Sequence, residues 1–300
     1  MDHMSAAMGP CLLCGGDALG PAFPWATRWN GKEFRYLECG LCRATFVDPL
    51  PSDEDFRLMY AGENYHDIHY QTLDSTQFEK TLARVRPLLS QTRDVLDYGC
   101  GIGGFLVAAA QAGMRSHGVE FDAAARERAK KNTGIEVHVP QALARLGLKF
   151  DLIHLGDVLE HLPDPKAVFL RLRSLLNPGG LFLVEGPLQR NASPVFWCSA
   201  GVKRLRRALG VDRPGSSPPT HLVLTDRMSQ KKFFTETLSY ECLFYELDET
   251  GWPYIAGPLV WRSPAALVKR LIGYSAIALS ALRPPASRFL GNRFVGVFRP

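Results

Sequence analysis

The sequence predicts an α/β fold: a seven-stranded, doubly wound sheet behind a small N-terminal module. Three observations carry this. Short apolar strands alternate with helix-length segments between residues 94 and 185. A glycine-rich loop joins the first of those strands to the first of those helices. Two CxxC pairs sit in the first fifty residues, where long apolar runs are few. Strands separated by helices of this length pair in parallel, with helices on both faces.

The elements follow in order. Residues 1–50, rich in Gly, Pro and Cys, predict a module too small to build its own core. Residues 51–92 predict a helical connector or lid. Phe56, Met59 and Tyr60, then Phe78, Leu82, Val85 and Leu89, recur at helical spacing, and Pro87 predicts a break near the end. The main domain is expected over 93–300. Val95–Asp97 reads as its first strand and Phe105–Ala112 as its first helix. Strands at Ser116–Glu120, Ile135–Val139, Asp151–Leu155 and Leu181–Glu185 follow, with helices at Ala123–Asn132 and Ala167–Leu176. Asn177-Pro178-Gly179-Gly180 reads as the stop of the latter helix. Beyond it, Asp226–Leu238 predicts helix, and Tyr240–Leu247 and Asn292–Phe298 predict the last two strands.

Composition excludes several classes. The chain has 300 residues with 35 Lys plus Arg, 30 Asp plus Glu and a net charge of +5. A chain of this length buries ~75% of its unfolded surface, which excludes disorder, coiled coil and collagen. So mild a charge permits a phosphorylated or nucleic-acid partner without demanding one; nucleic-acid binding would need more basic surface than this, or a local patch, and is not the expected partnership. The N-terminus carries neither a basic nor an apolar leader region, so the expected location is cytoplasmic. Residues 264–282 are nearly all apolar but contain Lys269 and Arg270. Seven Leu, Ile and Val would contribute ~2–4 kcal/mol to insertion against ~5–7 for two central cations, so no transmembrane segment is expected. A buried helix is the plain reading, and peripheral membrane contact stays open.

Cys11-Leu-Leu-Cys14 and Cys39-Gly-Leu-Cys42 each place two thiolates on one tight turn. Two facing turns complete a tetrahedral Cys₄ site, the arrangement of structural zinc, and paired cysteines in a reducing compartment favour metal over disulfides. Gly15, Gly16 and Gly40 relieve the backbone beside the knuckles. A redox CxxC and coincidence are the alternatives.

Asp97-Tyr98-Gly99-Cys100-Gly101-Ile102-Gly103-Gly104 follows a strand and opens a helix, so a ligand can approach backbone amides there. The glycines also satisfy the dinucleotide fingerprint, with Glu120 about 20 residues on. Asp97 discriminates: a carboxylate before the first glycine repels a pyrophosphate and suits a cationic amino-acid tail. Glu120 suits two ribose hydroxyls in either case.

DYGCGIGGF, HGVEFD, FDLIHLGDVLEHLPDP and LLNPGGLFLVEGP resemble the successive motifs of class I S-adenosylmethionine-dependent methyltransferases, over residues ~93–190. The N-terminal part, with Cys39–Cys42, Asp48–Ser52, Tyr60 and Tyr65, is similar to bacterial sugar C-methyltransferases and related small-molecule methyltransferases. The resemblance implies a Rossmann-like methyltransferase domain with an N-terminal zinc ribbon. It implies S-adenosylmethionine as cofactor and a small molecule, a sugar or other polar metabolite, as partner. It also implies that Asp97, Gly99 and Gly101 line the methionine end and that Glu120 holds the ribose. Phe121 then packs near the adenine, and Asp157 faces the methyl-donor pocket. The family often places an acid after the third strand, where this chain has Val139-Pro140-Gln141-Ala142.

His161 follows the fourth strand, where donor and acceptor should meet, and is a candidate general base; ordering the next helix is its structural alternative. His221 is similar to a histidine that follows a proline-containing loop in this subgroup, with a solvent-exposed loop position as its alternative. His66 and His69 beside Tyr65 are candidate lid residues. Lys203-Arg204 and Arg206-Arg207 read either as a solvated helix face or as recognition of phosphate on a linked substrate. An RNA methyltransferase, an NAD-dependent oxidoreductase and a non-catalytic binding protein are the competing classes.

Overall fold

The computed structural model describes residues 9–60, 73–145, 147–256 and 263–300. The chain divides into two compact units, each made of three segments.

The first unit comprises residues up to 51, 186–237 and 245–294. Its antiparallel sheet has the order β1-β2-β3-β9, from β1 (Ala18–Trp29), β2 (Lys32–Cys39), β3 (Thr45–Asp48) and β9 (Val223–Leu224). Asn30 and Gly31, at φ 49° and 72°, make the two-residue turn between β1 and β2. Both residues tolerate the left-handed conformation that a tight hairpin demands. Phe34, Tyr36 and Val47 pack with Leu224. The N-terminal module thus completes its core with a residue from far along the chain. Two helices, Pro194–Ala208 and Pro264–Ala281, pack against each other in this unit.

The second unit comprises 52–185, 238–244 and 295–300. It is built on β4 (Asp94–Tyr98), β5 (Arg115–Val119), β6 (Val137–His138), β7 (Phe150–Gly156) and β8 (Leu176–Pro187). With β10 (Glu241–Asp248) and β11 (Arg293–Arg299), the seven-stranded order is β10-β11-β8-β7-β4-β5-β6. The pairs β7–β8, β4–β7, β4–β5 and β5–β6 are parallel. The doubly wound sheet read from the sequence is therefore the one formed. Chain order reverses at β4, between β5 and β7, which makes the carboxyl ends of these strands a binding crevice.

Helices Asp53–Tyr60, Thr76–Val85, Gly104–Gln111, Ala123–Thr133 and Pro165–Arg173 belong to this unit. Leu82, Val85, Phe105, Ala108 and Ala109 pack on Val95, Leu152, Leu183 and Val297. Strands covered on both faces read as continuous apolar runs. Tyr65, His66 and His69 lie outside the described residues.

Two expectations are corrected. Asn177–Gly180 does not stop a helix. That helix ends at Arg173, and these residues lie inside β8. Between the pairs Phe150–Leu176 and Leu152–Leu181 the register shifts, so five steps on β8 face two on β7. The Asn-Pro-Gly-Gly stretch is the bulge that absorbs the excess. Nor is Pro264–Ala281 a buried helix. It buries Gly273, Ala276 and Ser280, while Leu267, Val268, Leu271, Tyr274 and Leu279 are exposed.

Candidate active site

The glycine loop is shaped by what surrounds it. Gly99 sits at φ +85°, and a Cβ there would lie 2.5 Å from Val158 Cγ2. Any side chain is excluded twice, by conformation and by contact. The Gly99 and Cys100 amides both donate to the Val119 carbonyl, at 2.7 and 3.0 Å, tying the loop to the end of β5. Gly103, at φ +95°, then turns the chain into the helix Gly104–Gln111.

Glu120 is buried at the end of β5. Its Oε2 accepts from the Gly101 amide at 2.9 Å and its Oε1 from the Asp122 amide at 2.9 Å. Burial raises its pKa, and the backbone amides pull against that rise. Each carboxylate oxygen keeps a lone pair for a further donor.

A cavity of about 490 Å³ opens at these strand ends. Tyr98, Gly99, Glu120, Phe121, Asp157 and His161 line it, with Asp53, Phe56, Arg57 and Val158. Asp157 has φ +53° and donates its amide to the Glu185 carbonyl at 3.0 Å. Aspartate is among the few residues that adopt this conformation readily. His161 Nε2 stands 3.9 Å from Glu160 Oε1.

Asp97 and Gly101 are not in the cavity wall. Asp97 is buried in the sheet, where its Oδ1 meets His154 Nδ1 at 2.7 Å. On its other side, His154 Nε2 lies 3.2 Å from Glu185 Oε1, and Thr81 donates to Glu185 Oε2 at 3.0 Å. Phe105 stacks on the imidazole with ring centres 3.7 Å apart. Burial alone would lower the His154 pKa, but Asp97 first and then Glu185 outweigh it and raise it to about 9. The network thus holds a buried imidazole between the carboxyl groups of Asp97 and Glu185, which favour its protonated form. His154 has no motif around it, only an apolar strand; its signal is a polar residue in that run. His221 belongs to the first unit, where its Nδ1 is 2.6 Å from Gln189 Nε2.

In the first unit, Cys11, Cys14, Cys39 and Cys42 converge, with all four sulfurs within 4.8 Å of one another. Cys11 Sγ is 3.6 Å from Cys42 Sγ, and Cys14 Sγ is 3.5 Å from Cys39 Sγ. A zinc ion with bonds of ~2.3 Å to four tetrahedral thiolates spaces the sulfurs ~3.8 Å apart, so the donor set fits that metal. The hydrogen bond with Cys42 pushes the Cys11 thiol down to about 5, while Cys42 is pushed up.

With this geometry in hand, comparison with known proteins decides the family. A family model described as "Methyltransferase domain" matches residues 43–229, more than half of the chain. The chain belongs to this methyltransferase family. A ubiquinone biosynthesis O-methyltransferase from Haemophilus ducreyi is 34% identical over 105 residues, covering 31% of this chain and 44% of that protein. One from Cereibacter sphaeroides is 29% identical over 144 residues, 45% of this chain and 56% of that protein. The methyltransferase thus spans about half the length of the curated relatives it matches. A solved structure titled a SAM-dependent methyltransferase, from Archaeoglobus fulgidus, covers 79% of this chain and 98% of its own. It aligns at 19% identity with a TM-score of 0.47.

Proposed function

We propose that this methyltransferase moves a methyl group from S-adenosylmethionine to a small-molecule acceptor, a sugar or another polar metabolite. The observation that carries the reading is Glu120, which lines the cavity with a carboxylate already fixed by two backbone amides. Two vicinal ribose hydroxyls match the acceptor capacity that remains. Phe121 would pack on the adenine, and Gly99 and Asp157 would flank the methionine end. Gly101 would act by holding Glu120. We assign Asp97 to supporting the loop from beneath, since His154 engages its carboxylate.

Bound S-adenosylmethionine supplies an electrophilic methyl group on a sulfonium. The chain's own part is to position donor and acceptor and to exclude water. His161, in the cavity wall, would take the proton that a hydroxyl or acidic carbon releases on methylation. A second reading makes the acceptor atom an oxygen of a molecule other than a sugar. The relatives named ubiquinone biosynthesis O-methyltransferase favour it, and a hydroxyl acceptor needs the same base. Cys11, Cys14, Cys39 and Cys42 would hold a structural zinc, with no open position for catalysis. The convergence of four cysteines on one metal-sized site supports a reducing, cytoplasmic setting, where paired cysteines bind metal more often than they form disulfides.

Calorimetric titration tests the reading. S-adenosylmethionine and its demethylated product should bind, and NAD should bind far more weakly. Glu120→Ala should weaken cofactor binding by about 10- to 150-fold, the loss of hydrogen bonds to a charged acceptor. Unchanged affinity in that variant, or tighter NAD binding in the wild type, overturns the assignment. Mass analysis of the methylated product then separates a sugar from another hydroxylated acceptor.

A further inference from the structure

Within the first unit, the helix Pro264–Ala281 is built the wrong way round for a core helix. Small residues, Gly273, Ala276 and Ser280, face inward. The exposed side carries Leu267 and Val268, Leu271, Tyr274, then Leu279 and, just past the helix end, Leu282, recurring at helical spacing. Leu271 is 68% exposed and Leu282 78%. The helix packed against it repeats the pattern, with Trp197 54% and Leu205 60% exposed. No helix among the described residues is long and apolar enough to cross a membrane.

The charges of these segments are one-sided. Residues 250–300 contain seven Lys and Arg and no Asp or Glu. Residues 186–211 contain five Lys and Arg and no Asp or Glu. Some of these cations serve the fold: Arg190 pairs with Glu38 at 3.1 Å, Arg288 with Asp248 at 3.0 Å and Arg299 with Glu241 at 2.8 Å, while Lys203 donates to the Pro24 carbonyl at 3.2 Å and Arg207 lies over Trp25 at 5.1 Å. Lys269, Arg204 and Arg206 are exposed.

We propose that the helices Pro264–Ala281 and Pro194–Ala208 dock this protein, as a peripheral protein, on an anionic bilayer surface. An apolar stripe bordered by cations is the build of an interfacial helix, whose apolar residues sink below the headgroups while the cations meet lipid phosphates. The exposed tryptophan suits the same boundary. A second copy of this face would set like charges against each other. A nucleic acid would take the cations and leave the leucines in water. An anionic bilayer satisfies both. The inference is independent of the methyl-transfer reading.

The test uses the full chain and sedimentation with vesicles of phosphatidylcholine, alone or with about a third phosphatidylglycerol. Binding should be strong to the mixed vesicles and weak to the neutral ones. Raising salt to about 0.5 M should reduce it, because screening shortens the reach of the cations. Lys269→Glu should weaken binding at least about fivefold, the typical effect of one cation near such a surface. Leu271→Glu with Leu282→Glu should abolish binding and leave the far-UV circular dichroism and the thermal unfolding midpoint unchanged. If that pair fails to fold, Trp197→Ser with Leu205→Ser replaces it, and the same loss is expected. Equal binding to both vesicle types, no binding to either, or wild-type binding by the folded variants overturns the proposal. So does a dimer that the leucine substitutions dissociate without any vesicle binding, or a preference for an RNA oligonucleotide over the mixed vesicles.

Discussion

His154 shows what a single side chain does in this fold. It is completely enclosed, between two carboxylates, and its pKa in the folded chain, about 9, lies above the ordinary 6.5. Its contribution to stability is therefore full below pH 6.5 and is lost as pH rises through about 9. A rise of this size corresponds to about 3 kcal/mol, and urea unfolding measured from pH 6 to 10 should show the decline. His154→Phe should cost about 3–5 kcal/mol, because Asp97 and Glu185 stay buried without their cation, and it should flatten the decline. Gly99→Ala makes a different demand. Its left-handed backbone costs an L-residue about 1–2 kcal/mol, and the Val158 methyl must also move, so the variant should lose stability and cofactor affinity together in calorimetry. Gly99 was legible because glycine spacing records backbone geometry in one dimension. His154 was not, because its partners come from two other strands. Asp97 is its register partner on β4, and Glu185 lies two residues past its partner Leu183 on β8. Only strand order brings the three together.

At the scale of elements, the alternation of strand and helix in residues 94–185 was readable because the central strands β4, β7 and β8 carry apolar residues on both faces and each helix begins at a turn or cap residue. Asp164 is such a cap, accepting the Ala167 amide at 2.9 Å; Asp164→Ala should cost about 1 kcal/mol, read as a shifted unfolding midpoint with unchanged slope. The bulge in β8 was misread because Pro and Gly after an apolar helix mark a stop and a bulge alike. What separates the two is the register with β7, which is absent from the linear order. The helix Pro264–Ala281 was misread because composition counts apolar residues without saying which way they face. The cysteine pairs were legible, since spacing within each knuckle is local. Cys39→Ser should release the metal from the purified protein. It should also loosen the sheet of the first unit, seen as faster amide exchange in β1–β3, while the glycine-loop strands stay protected. Structural zinc contributes ~10–16 kcal/mol in peptides, so the effect should be large. Finding neither zinc nor iron in the wild type counts against the site.

For the whole molecule, the two candidate bases belong to different units, His161 to the second and His221 to the first. Turnover separates them. His161→Ala should slow methylation by ~10²–10⁴-fold with cofactor affinity intact, and His221→Ala should not. The reverse result moves the base to the loop after Pro219. The three-segment make-up of the first unit also bears on time. Its first three strands end at Asp48, yet β9, which pairs with β3 and brings Leu224 to the core, begins at Val223. A ribosome adding ~5–20 residues per second needs ~9–35 s to cover that interval. During it the nascent sheet has an unpaired edge and an incomplete core, and all four cysteines have already been made. Metal captured at that stage would hold the hairpin closed until its last strand arrives.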